Sequence, residues 1–134
     1  MLVATIAFAG TRLAGGGSSD RETLDVEALS PSHVPQWASD ASFPDNPKAV
    51  AGARIFAQVG CLNCHTYLGT GSAALGAPDL SAIGKDSHRG AEGFAAYVAD
   101  PSKFGDNVIP HFRDLGRTRL LELGAFLEAS KGRR

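Results

Sequence analysis

The sequence predicts an all-α domain. Two amphipathic runs bracket it, a shorter apolar run lies between them, and no segment sustains the two-residue alternation that a half-buried strand requires. Asp45-Asn46-Pro47 opens the first run with a cap residue and a proline at the first helical position. From Lys48 to Val59, the residues Gly52, Ile55, Phe56 and Val59 fall at i, i+3, i+4 and i+7 on one helical face, and Gly60 stops the helix. A middle helix is predicted over Ala91–Ala99 and ended by Asp100-Pro101. The last runs from Arg117 to Lys131, with Leu120, Leu123, Phe126 and Leu127 on one face and Gly132 closing it. Gly52 and Gly124 sit inside the outer two helices, where glycine costs roughly 1 kcal/mol against alanine. Close crossing of the first and last helices beside Phe56 and Phe126 accounts for them; the alternative is that one is merely tolerated.

Composition narrows the function. At 134 residues the chain fits one domain, and 43% apolar residues are ordinary for a chain that buries a core. A net charge of −1 with 20% charged residues argues against a nucleic-acid-binding protein and against a long disordered charged chain. Two cysteines allow at most one internal disulfide, which excludes a disulfide-stapled miniprotein and a multi-cysteine metal site.

Upstream of the domain, residues 1–14 begin as an almost uncharged apolar run (MLVATIAFAG), too short for the ~20 residues of a spanning helix and without a basic leader. The expectation is the remnant of a longer signal or membrane anchor; the other reading is an apolar tail on a soluble chain. Residues 15–43 read as linker: Gly15-Gly16-Gly17-Ser18-Ser19 is flexible by composition, Asp20–Leu29 forms at most a short acidic helical turn, and Pro31, Pro35, Pro44 and Pro47 interrupt longer elements. The single Trp37 falls there and either packs back onto the domain or docks on a partner. Residues 44–134 form the domain, with a net charge of +2 against −3 upstream.

Directly after the first helix stands Cys61-Leu62-Asn63-Cys64-His65, the C-x-x-C-H attachment signature of c-type haem. Two thiols at this spacing add across the two vinyl groups on one porphyrin edge, and the following histidine is directed at the iron as proximal ligand. A thioredoxin-like C-x-x-C would follow a strand, and a zinc site would need four ligands. The long glycine-rich loop Tyr67–Gly84 is anomalous in a compact domain unless it wraps around something.

With that motif, the runs GARIFAQVGCLNCHTYLGTG…LGAPDLSAIG, DPSKFGDNVIPHF and RLLELGAFLEASKG resemble a class I mono-haem cytochrome c over about residues 46–132. The chain is most similar to the membrane-tethered cytochrome c domains of quinol–cytochrome c reductases and haem-copper oxidases. The resemblance implies a cytochrome c fold of three to five helices around one covalent haem c, with the N- and C-terminal helices crossing at Gly52, Phe56 and Phe126. It also implies that the Pro78 carbonyl accepts the Nδ1 proton of His65, a contact that orients a ligating imidazole.

One feature departs from the family. Where a Met-Pro-x-aromatic segment would supply the distal ligand, the chain reads Ile109-Pro110-His111-Phe112, and its one methionine is Met1. Three arrangements answer this: His111 ligates after a small loop shift, the distal position stays open beneath Ile109, or another side chain such as His88, Lys103 or Asn107 takes it. Loss of the thioether predicts a lower potential than in Met/His relatives.

The function expected is electron transfer rather than enzymatic catalysis, through a tethered component of a respiratory chain. Its partners would be a quinol–cytochrome c reductase or a terminal oxidase, with membrane association through the N-terminal segment. The alternative is a haem module that binds or senses a diatomic ligand at an open distal site; a peroxidase would want distal acid–base residues and commonly a second haem. Covalent haem attachment and the apolar N-terminus imply a periplasmic location or the outer face of the cell membrane.

Overall fold

The computed structural model describes residues 33–133, so the apolar segment, the glycine–serine run and Asp20–Leu29 lie outside the described residues. The described chain is mostly helical. Its elements are α1 (Val34–Asp40), α2 (Pro47–Gln58), the hairpin strands β1 (Thr66–Tyr67) and β2 (Thr70–Gly71), α3 (Ile83–Asp86), α4 (Gly90–Ala99) and α5 (Arg117–Ala129). Tight helical turns at Cys61–Asn63, Pro101–Phe104 and Arg113–Leu115 join them. Among the described residues no helix is long and apolar enough to cross a membrane.

Local chemistry sets the helix ends. The Asn46 side chain accepts from the Ala49 N–H, with Pro47 at the first helical position of α2. At the other end, Ser130 leaves the helical register before the predicted stop at Gly132, whose φ is +87°. Ser130 Oγ donates to the Phe126 carbonyl at 2.7 Å, which uses its only proton, so Tyr67 OH donates to Ser130 Oγ at 2.8 Å. Burial pushes the Tyr67 phenol up to about 12.

The core forms where α2 and α5 cross. Phe56 and Phe126 meet there with ring centroids 5.0 Å apart, and Tyr67 packs against them at 5.6 and 4.9 Å. Gly52 makes this approach possible: a Cβ there would collide with the Glu122 carbonyl and lie 2.8 Å from Phe126 Cβ. Gly124 serves a different contact from the one predicted. Its missing Cβ would strike the Ala91 carbonyl and lie 3.2 Å from the Ala95 amide, so it brings α5 against α4 rather than α2. The consequence is testable at Gly52. Alanine there gains roughly 1 kcal/mol of helix propensity, yet it must push α2 and α5 apart at their backbone contact. Overpacking in a rigid core costs about 1–3 kcal/mol, and a backbone obstacle belongs at the upper end. Gly52→Ala is therefore expected to lower thermal stability, measured by circular-dichroism melting, whereas a rise would mean the helices separate freely.

Two expectations are corrected. Residues 34–43, assigned to linker, belong to the packed domain, because Pro35 starts α1 instead of breaking it. Val34, Trp37, Ala38, Ala41 and Phe43 are all buried, and Trp37 packs back on Phe56, Tyr67 and Phe126 rather than facing outward. The exposed ion pair of Arg133 with Asp40 at 2.7 Å ties the chain's end to α1, worth at most about 1 kcal/mol. The second correction concerns the absence of strands. A small antiparallel hairpin pairs Thr66 with Gly71 and Tyr67 with Thr70 through Leu68-Gly69, both at positive φ. Two-residue strands are too short to show alternation.

Candidate functional site

The segment Gly60–His65 turns sharply off the end of α2. Gly60 takes φ +99°, a conformation that favours glycine. The turn that follows is closed by Asn63 N–H to the Gly60 carbonyl at 3.0 Å and His65 N–H to the Cys61 carbonyl at 2.9 Å. Leu62 is buried as its anchor, and its carbonyl accepts from the Ser72 N–H at 3.0 Å. Cys61 and Cys64, both partly exposed, are free thiols on one short turn. Desolvation pushes the Cys61 thiol up to about 12, despite a backbone hydrogen bond that pulls the other way.

His65 leaves this turn with one ring nitrogen committed. Its Nδ1 lies 2.7 Å from the Pro78 carbonyl, the contact that the resemblance implies. A carbonyl only accepts, so Nδ1 carries the proton, and in the neutral ring Nε2 bears the lone pair needed for a metal bond. Neighbouring bonds hold Pro78 in place. Thr66 donates to Asp79 Oδ1 at 2.8 Å, and the Leu80 N–H donates to the Thr66 carbonyl at 2.9 Å. Ser81 Oγ donates to Asp79 at 3.0 Å and accepts from the Leu68 N–H at 2.7 Å. The glycine-rich loop is thus stitched to the hairpin directly after His65.

A second hydrogen-bonded turn stands in the segment after α4. Asp106 Oδ1 accepts from the backbone N–H groups of Val108 and Ile109 at 3.0 and 3.2 Å, and Tyr97 OH donates to Asp106 Oδ2 at 2.6 Å. These bonds hold the Asp106 carboxyl below the usual range, Tyr97 foremost and then the two backbone amides. Farther along, the Phe112 N–H donates to the Val98 carbonyl at 2.9 Å and ties the segment back to α4.

The predicted site residues divide clearly. Cys61, Cys64, His65 and Pro78 come together. Phe56 and Phe126 lie in the aromatic core at the helix crossing, and Ile109 is half-buried on the 106–109 turn. His111 is exposed, with Nε2 3.5 Å from Arg113, whose guanidinium also lies 3.6 Å from Asp100. His88, Lys103 and Asn107 are exposed. Among the described residues no three His, Cys, Asp or Glu side chains converge as a metal cage. Tyr97 and Asp106 were missed by sequence reasoning; an aspartate two and three residues before apolar N–H groups, in Asp106-Asn107-Val108-Ile109-Pro110, is the signal that marks such a turn.

This donor set fits a covalently held porphyrin. Two free thiols stand three residues apart, an oriented imidazole keeps Nε2 available, and the large apolar side chains Leu75 (73%), Phe104 (50%) and Val108 (92%) stay exposed. Comparison with protein-family models, with curated proteins and with solved structures finds no match to this chain.

Proposed function

We propose that this domain is a mono-haem cytochrome c that carries single electrons between redox partners. The observation that supports this best is the His65 Nδ1 contact to the Pro78 carbonyl, next to two free thiols in C-x-x-C-H spacing. The haem would supply an iron that alternates between ferric and ferrous. Cys61 and Cys64 would hold it by thioether bonds, and His65 would bind through Nε2, its orientation set by Pro78. The chain would build a cytochrome c fold around it, with the α2–α5 crossing as the rigid base. No acid, base or nucleophile is required, so the role is transfer rather than substrate chemistry. Its surroundings would be extracytoplasmic, with a quinol–cytochrome c reductase or a terminal oxidase as partner and a membrane tether supplying effective concentration.

Expression alongside a c-type haem attachment system tests the reading. Haem is expected to stay with the polypeptide through denaturing electrophoresis and to be lost in Cys61→Ala/Cys64→Ala. A wild-type chain that acquires no covalent haem under those conditions would overturn the proposal.

A second reading, diatomic-ligand binding at an open distal position, draws on Ile109 and on the engagement of His111 with Arg113. Carbon monoxide added to the reduced protein separates the two. Rapid, tight binding favours the open site, and slow or absent binding favours a closed coordination sphere.

A further inference from the structure

We infer that Asp106, locked by Tyr97, is a positioning residue that preforms the Ile109 segment without needing an axial bond from it. The inference rests on the haem reading above. In a Met-ligated relative the iron–sulfur bond can itself hold the distal segment; a hydrocarbon side chain at position 109 can make no such bond. Here the restraint comes from the protein. Asp106 uses one carboxylate oxygen on two consecutive backbone amides, those of Val108 and Ile109, and gives the other to the Tyr97 hydroxyl. Hydrogen bonds to an ionised carboxylate are shorter and stronger than neutral ones, and 2.6 Å to the phenol fits that class.

Tyr97 is fixed in turn. Its ring lies 5.3 Å from that of Phe104, and the Arg89 guanidinium sits 4.4 Å from the Tyr97 centroid and 5.5 Å from that of Phe104. Arg89 immediately precedes α4 and Tyr97 lies within it, so the clamp joins the 106–109 turn to a helix packed through Gly124 onto α5. The amide of Asp106 bonds the Pro101 carbonyl at 3.1 Å, which sets the carboxylate at the mouth of the turn. A loop carrying the almost fully exposed Val108 would otherwise have little reason to hold one shape.

The test uses the full chain as purified with its haem, in the variants Asp106→Ala, Asp106→Asn and Tyr97→Phe. Amide hydrogen exchange is read at Val108 and Ile109, with Phe112 as an internal control because its amide bonds Val98 instead. Asp106→Ala is expected to speed exchange at both amides about tenfold, the loss of one charge-assisted bond each, and to leave Phe112 unchanged. Asp106→Asn keeps an acceptor oxygen and should restore most of the protection; Tyr97→Phe should fall between. The ferric electron paramagnetic resonance spectrum should broaden in Asp106→Ala and sharpen again in Asp106→Asn. Unchanged exchange at Val108 and Ile109 removes the clamp. Lost protection with an unaltered spectrum removes its role at the haem. A wild-type chain lacking covalent haem defeats the reading of the site instead, and the exchange experiment still reports on the clamp.

Discussion

Trp37→Ala is expected to destabilise the domain by about 3–5 kcal/mol, the range for truncating a buried aromatic. For a domain of this size that lowers the melting temperature by at least roughly 12 °C. The reason is the position of the indole. It is 2% exposed and touches each member of the crossing-point cluster: Tyr67 at 5.0 Å and Phe56 at 6.0 Å edge-on, and Phe126 stacked at 6.3 Å. Truncation leaves a cavity that α2 and α5 cannot collapse into, because Gly52 already holds their backbones in contact. Trp37→Phe keeps a ring in place and should recover much of the loss. The measurement is thermal melting followed by far-ultraviolet circular dichroism. A Trp37→Ala protein that melts like wild type would show that α1 adds nothing to the core. Removing residues 1–43 should destabilise at least as strongly, since it uncovers the same aromatic surface.

How legible this fold was in the sequence depends on the element. α2 and α5 carry apolar faces over twelve or more residues, α4 is a shorter apolar run, and each has an explicit stop, so they lie within two residues of their predicted bounds. α1 was illegible for a physical reason. Its seven residues are too few for periodicity to stand out, and a proline at its start reads as a breaker when taken one residue at a time. The hairpin is hidden similarly, because its turn places Leu68, a residue seldom found there, at positive φ. Gly124 could be recognised as a close-approach position, but one sequence does not say which helix approaches.

The site was legible in halves. Cys61, Cys64 and His65 form a contiguous motif whose spacing is itself the chemistry. Pro78 came only through resemblance, since no local rule links residues thirteen positions apart. Asp106 and Tyr97 share a hydrogen bond across nine positions that depends on how α4 ends, and that is a tertiary fact. The distal side of the proposed haem site resisted for a further reason. A ligand's absence is visible in sequence, but what replaces it is decided by loop geometry.

If the domain carries haem as proposed, Ile109→Met probes the distal side most directly. If the Asp106 clamp already shapes the segment, the substitution needs no rearrangement of the backbone and supplies the missing thioether. The midpoint potential is then expected to rise, because a Met axial ligand favours the ferrous state. A sulfur-to-iron charge-transfer band should appear in the ferric spectrum, and the affinity of the reduced protein for carbon monoxide should fall at least about tenfold, equivalent to roughly 1.4 kcal/mol of competition from the new ligand. His111→Ala in the wild-type background should change none of these, since the imidazole is exposed and faces Arg113. The two substitutions together divide the possibilities. A bis-histidine protein would shift its spectra on His111→Ala and resist Ile109→Met, because one axial position cannot hold two ligands. An open distal site would behave in the opposite way. A protein indifferent to both would place the ligand on another side chain, with Lys103 and Asn107, which flank the clamp, the next to substitute.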